Sequence, residues 1–122
     1  MQWNRIMLSH TTTIGIHRIV RLPGIQKEDF LQKLREEILP MASLPPLNRV
    51  TNVTAQTLST DETEDSVDTC SWAIHFNGVH RPELVRDNCE AMYSSVRDKL
   101  EAVGVRTSFR LETLEASWDA EI

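Results

Sequence analysis

Cysteine is scarce: Cys70 and Cys89 are the only two among 122 residues. They are too few and too far apart for a disulfide framework or a paired-cysteine zinc site, and both fall on apolar faces, where a thiol acts as a small hydrophobe. Long apolar runs are missing too. None approaches the roughly 20 residues a bilayer-spanning helix needs, and residues 1–10 hold no apolar stretch of a signal peptide. The expectation is a cytoplasmic protein with no membrane partner. Positive charge is short, with 13 Lys and Arg against 18 Asp and Glu and a net charge of -5. That balance weighs against a phosphate-binding surface, and so against nucleic acid as a partner. There is no G-x-S-x-G elbow, no P-loop and no dinucleotide fingerprint. The expectation is no metal and no cofactor.

What is present is alternation. In residues 69–78, Cys70, Trp72, Ile74 and Phe76 share one parity, while Ser71, Ala73, His75 and Asn77 share the other. This is a half-buried strand with an apolar face and a small, polar one. Residues 12–22 alternate as well, with Ile14, Ile16, Val20 and Leu22 on one parity, Arg18 discordant among them, and Gly15, His17, Ile19 and Arg21 on the other. Pro23-Gly24 ends that strand as a turn. Residues 48–60 set Thr51, Val53, Ala55 and Thr57 against Asn52, Thr54, Gln56 and Leu58. Residues 105–114 set Val105, Thr107, Phe109 and Leu111 against Arg106, Ser108, Arg110 and Glu112.

Two stretches change to the helical period. Phe30, Leu31, Leu34 and Ile38 form a stripe within residues 26–39, stopped at Pro40. Pro82 opens a second helix, in which Val85, Cys89, Met92, Val96, Leu100 and Val103 recur on one side, and Gly104 is expected as its left-handed cap. The acidic residues of 61–68 lack the spacing and glycine of a calcium loop, and read as a solvated hairpin loop. Residues 1–11 and 117–122 read as extensions around a single domain with its core in 12–116.

The resulting order, βαββαβ, specifies an α+β, ferredoxin-like domain. Its four-stranded antiparallel sheet has the order 4-1-3-2 and both helices on one face. If the aliphatic parity of each strand meets the helices, the other parity forms an open face. His17 and His75 then lie together on adjacent central strands, with Asn52, Gln56, Arg106 and Arg110 on the same surface. The small residues Gly15, Ser71, Ala73 and Ser108 would leave a cavity if a second sheet closed over it.

The order of elements and the phrase Ile16-His17-Arg18-Ile19-Val20-Arg21-Leu22-Pro23-Gly24, followed by residues 30–40, resemble the dimeric α+β-barrel superfamily, including antibiotic-biosynthesis monooxygenase-like and stress-responsive barrel proteins. The resemblance implies a homodimer in which two open faces form a barrel, with pockets on the sheets or between sheet and helices. It also implies cofactor-free, monooxygenase- or cyclase-like chemistry on an aromatic or polyketide-like compound. His17 and His75 would be the acid-base pair. Asn52, Gln56, Arg106 and Arg110 would line the ligand site, the arginines holding a carboxylate or enolate. Another reading of the same residues is a non-catalytic dimerisation module whose barrel is filled by side chains.

Overall fold

The computed structural model describes residues 5–43, 53–60, 67–78 and 80–121, with side chains described for 11–41, 55–60, 67–78 and 80–115. The elements follow as β1 (Arg5–Arg21), α1 (Lys27–Ile38), a 3-10 helix (Leu39–Ser43), β2 (Val53–Thr60), β3 (Thr69–Asn77), α2 (Pro82–Leu100) and β4 (Gly104–Glu121). All strand pairings are antiparallel, in the order β2-β3-β1-β4. This is the expected ferredoxin-like sheet. Asn52 and residues 61–66 of the acidic loop lie outside the described residues.

Both helices cover one face. Phe30, Leu34 and Ile38 of α1 and Val85, Cys89, Met92, Val96 and Leu100 of α2 join Ile19, Cys70, Trp72, Ile74 and Phe76 in one buried cluster. The helical stripes read from sequence are therefore the buried stripes. On α1, Glu28 and Asp29 sit in the first turn, where carboxylates suit the positive end of the dipole. Pro82 stands in the first turn of α2, where its missing N–H leaves no partner unmet. Gly24 has φ +85° after Pro23, and Ile25 N–H donates to Leu22 O at 3.2 Å, which closes the turn.

Several boundaries differ from the sequence reading. α1 ends at Ile38, short of Pro40 as expected, but the chain continues through Pro40 as a 3-10 helix. α2 ends at Leu100 with Glu101 as its C-cap, and Gly104 is the first residue of β4 rather than a left-handed cap. Gly104 is needed for closeness: a Cβ there would lie 2.8 Å from the Phe30 ring and 2.9 Å from Ile19 Cγ2. β1 begins seven residues before the expected Thr12, and β4 runs past Ala116. The pairing Arg5↔Glu121 continues through Thr12↔Leu114, although β3 pairs with β1 only over Thr13–Val20. Two strands therefore project as a ribbon beyond the four-stranded sheet.

The larger correction concerns faces. Antiparallel partners share a face, and β1 pairs Gly15 with Ile74, His17 with Trp72 and Ile19 with Cys70. Gly15, His17 and Ile19 thus look toward the helices, while Ile14, Ile16, Arg18 and Val20 occupy the open face. Aliphatic content misled because the helix-facing parity of β1 accommodates a glycine and an imidazole. A Cβ on Gly15 would come within 2.5 Å of Cys89 Sγ. β2 is reversed as well, with Gln56 opposite Ile74 and Leu58 opposite Trp72. In β4 an irregularity at Arg18/Ile19 moves Arg106 opposite Ile19, on the helix side, whereas Ser108, Arg110 and Glu112 keep the open face.

Candidate functional site

The two histidines are on opposite sides of the sheet. His17 is fully buried under α2, caged by Trp72, Phe109 and Tyr93 with ring centroids at 4.9, 4.8 and 5.4 Å. Its Nε2 is 3.2 Å from Cys89 O, and its Nδ1 is 3.4 Å from Arg106 Nη1. A carbonyl only accepts and a guanidinium only donates, so Nε2 carries the proton and Nδ1 receives. This makes a neutral imidazole with both nitrogens engaged. Burial first, and the Arg106 charge second, push its pKa down from 6.5 to about 4.

Arg106 connects this cage to solvent. Its guanidinium lies 4.2 Å from the Tyr93 ring centroid and donates to Glu90 Oε2 at 2.8 Å. The pair is a quarter and two-fifths exposed, so it fixes the arginine's position more than it adds stability. Burial, and behind it the Glu101 charge, raises the pKa of Tyr93. The alternation did not reveal this cluster, since it depends on the irregular pairing of β1 and β4. A signal was nonetheless present in α2: Asn88 and Tyr93 fall at helical spacing within the stripe of Val85, Cys89, Met92 and Val96. Asn88 is fully buried, and neither polar atom of its side chain meets a partner among the described residues. Gln56, expected on the open face, instead accepts from Trp72 Nε1 at 2.9 Å on the helix side.

The open face has uneven relief. On β1 it carries Ile14, which is only 4% exposed, and half-buried Ile16 and Val20; β4 adds Val105 and Leu114, which are 46% and 55% exposed. On β2 and β3 it presents Ala55, Thr57, Ser59, Ser71 and Ala73, with half-buried His75 among them. Thr57 Oγ1 and His75 Nε2 are 3.3 Å apart. Arg110 is largely exposed, and its Nε donates to Glu112 at 3.1 Å. Of the six residues expected to share the open face, His75 and Arg110 are there, His17, Gln56 and Arg106 lie on the helix side, and Asn52 is outside the described residues. The sheet itself therefore keeps His17 and His75 apart.

His80 Nε2 lies 2.9 Å from Asn77 O, holding the turn into α2. Cys70 and Cys89 are buried free thiols whose pKa values burial raises to about 11 and about 12, away from the range of reactive thiolates. Among the described residues, no group of three or more His, Cys, Asp or Glu is placed to hold a metal ion, and no helix is long and apolar enough to cross a membrane.

No protein-family profile and no curated protein matches this sequence. Solved structures do. A dimeric protein of unknown function and ferredoxin-like fold from Bacteroides fragilis aligns at a TM-score of 0.52 and 10% identity, covering 91% of this chain and 96% of its own. A protein from Shewanella oneidensis aligns at 0.50 and 12% identity, covering 93% and 98%. An antibiotic biosynthesis monooxygenase-like protein from Chloroflexus aurantiacus aligns at 0.44 and 9% identity, covering 83% and 90%, too loosely to support an inference. At these identities the likeness is one of fold, and the fold this chain shares with its neighbours is the ferredoxin-like α+β sandwich.

Proposed function

We propose that the chain acts as a homodimer closed through the open sheet face, and that the shallow half of this face, over β2 and β3, receives a small organic molecule. The observation carrying this reading is the relief of the face. Branched aliphatics on β1 and β4 offer surface for packing, whereas Ala55, Thr57, Ser71 and Ala73 leave room around a half-buried imidazole. The dimeric Bacteroides fragilis neighbour supports the assembly.

In this reading His75 alone supplies acid-base chemistry. Its place in a cleft between two sheets suits proton transfer at an enolisable carbonyl of an aromatic or polyketide-like compound. Arg110 would meet an enolate or carboxylate. His17 fixes the packing of α2 on β1 instead. The test is the His75 ring signal in an NMR titration with tetralone, an enolisable aromatic ketone. A saturable shift that His75→Ala removes, with the fold intact, is expected; no shift in the intact dimer would overturn the pocket.

One observation favours a second reading. Ile14 and Ile16, rather than Gly15, occupy the middle of the open face, and two such surfaces can fill the space between sheets without a ligand. The chain would then be a non-catalytic dimerisation module, and the same titration would leave His75 unmoved.

A further inference from the structure

Arg18 interrupts the aliphatic parity of β1, and the fold gives that interruption a place. The register sets out the open face as rungs that cross all four strands. One rung runs Ser59, Ser71, Arg18, Ser108, and the next runs Thr57, Ala73, Ile16, Arg110. Beyond that come Ala55, His75, Ile14 and Glu112. Arg18 therefore has a serine on either side, on β3 and on β4, and Arg110 as its diagonal neighbour. Arg18 and Ser108 are exposed, and Ser71 is half-buried.

Among the described residues this face carries two guanidiniums and one carboxylate. Arg110 and Glu112 pair at 3.1 Å, while no ion pair or hydrogen bond engages the Arg18 guanidinium among the described residues. A surplus of positive charge thus stands at one place on a chain of net charge -5. In water an arginine of this kind is solvated and needs no partner. Between two sheets it needs one, because a charge taken out of water without a counter-ion is destabilising. The flanking residues indicate which counter-ion fits. Small hydroxyls leave the guanidinium uncrowded and add donors beside its planar fork, a set matched to the two oxygens of a carboxylate. Four residues of strand, about 13 Å, separate the rung of Arg18 from that of His75, with the rung of Arg110 between them. One ring system bridges what the reach of the arginine leaves of that span.

We propose that Arg18, with the hydroxyls of Ser71 and Ser108, holds the carboxylate of an aromatic keto acid whose enolisable carbonyl lies at His75. The proposal rests on the pocket and homodimer read above and names the substrate class they take. Arg18 receives the carboxylate, which leaves Arg110 for the enolate.

The test is calorimetric titration of the full chain with a tetralone carrying a ring carboxylate and with the methyl ester of the same compound. Neutral pH and about 0.15 M salt screen loose surface charge. The acid should bind at least about tenfold tighter than the ester. In Arg18→Gln the acid should weaken by about tenfold or more and the ester by less than about twofold, whereas Arg18→Lys, a charge without the fork, should keep part of the preference. Circular dichroism checks the fold of each variant, which replacement of an exposed side chain should leave intact. Equal binding of acid and ester by the parent, or a preference that survives Arg18→Gln, would overturn the carboxylate site and leave the pocket standing. So would a failure of both compounds to bind while unsubstituted tetralone still moves the His75 signal. No binding of any of the three would remove pocket and site together. If Arg18→Gln loosens the dimer by about tenfold in sedimentation equilibrium without ligand, a carboxylate of the second copy is already the counter-ion and the proposal fails.

Discussion

The two faces of this sheet solve different problems with the same four strands. The helix side is complete within one chain: Trp72, Ile74, Phe76, Phe30, Leu34 and Val85 are fully buried, and even its imidazole has partners at both nitrogens. The other side carries branched aliphatics and small polar residues, with no helix above them among the described residues. The closed face admits polar groups, bonded as His17 and Gln56 are or, as with Asn88, without a partner among the described residues, while the open face carries aliphatics that the proposed second copy would cover. Polarity in the sequence is consequently a poor guide to which side is buried.

The contrast breaks most readily at Trp72. Trp72→Ala removes a fully buried ring and the bond to Gln56, and should cost about 3–5 kcal/mol, read from denaturant midpoints. A comparable effect comes from pH. The folded state holds the pKa of His17 at about 4 against 6.5 when unfolded, so between these values the unfolded chain binds the additional proton. This contribution is fully present above pH 6.5 and is lost as pH falls toward 4, by about 3 kcal/mol at most. His17→Leu should flatten that part of the stability profile.

Gly15→Ala sharpens the assignment of faces. On the helix side its methyl meets Cys89 Sγ and the Phe109 ring, and a loss of about 1–3 kcal/mol is expected. Were Gly15 on the open face, the substitution would be nearly neutral. The smallest effect belongs to His75→Ala, which should change protomer stability by less than about 0.5 kcal/mol while abolishing the ligand-induced shift of the proposed pocket.

These residues also mark how far the sequence could be read. Element order, helical stripes and the 4-1-3-2 sheet were legible because β3 and the helices have one unambiguous apolar side. β1 was not, since both its parities carry aliphatics and Gly15 and His17 gain their place only from Cys89, Phe109 and Trp72, residues distant in sequence. The position of Arg106 depends on a single irregularity in pairing, which alternation cannot reveal. The ribbon was hidden because residues 5–11 take a regular form only against residues 115–121. The histidine pair failed with the parity of β1, whereas His75 kept its place because the alternation of β3 was clean.

The most direct measurement of whether the open face is closed by a second copy is sedimentation equilibrium across a dilution series of the full chain and of Ile16→Asp. Ile16 lies in the middle of the open face, away from the helix-side core, so a charge there strikes the interface rather than the fold. The account predicts twice the chain mass for the parent and a single-chain mass for the variant, with the same circular dichroism for both. A parent of single-chain mass at every concentration, or a variant that dimerises as tightly as the parent, would contradict it.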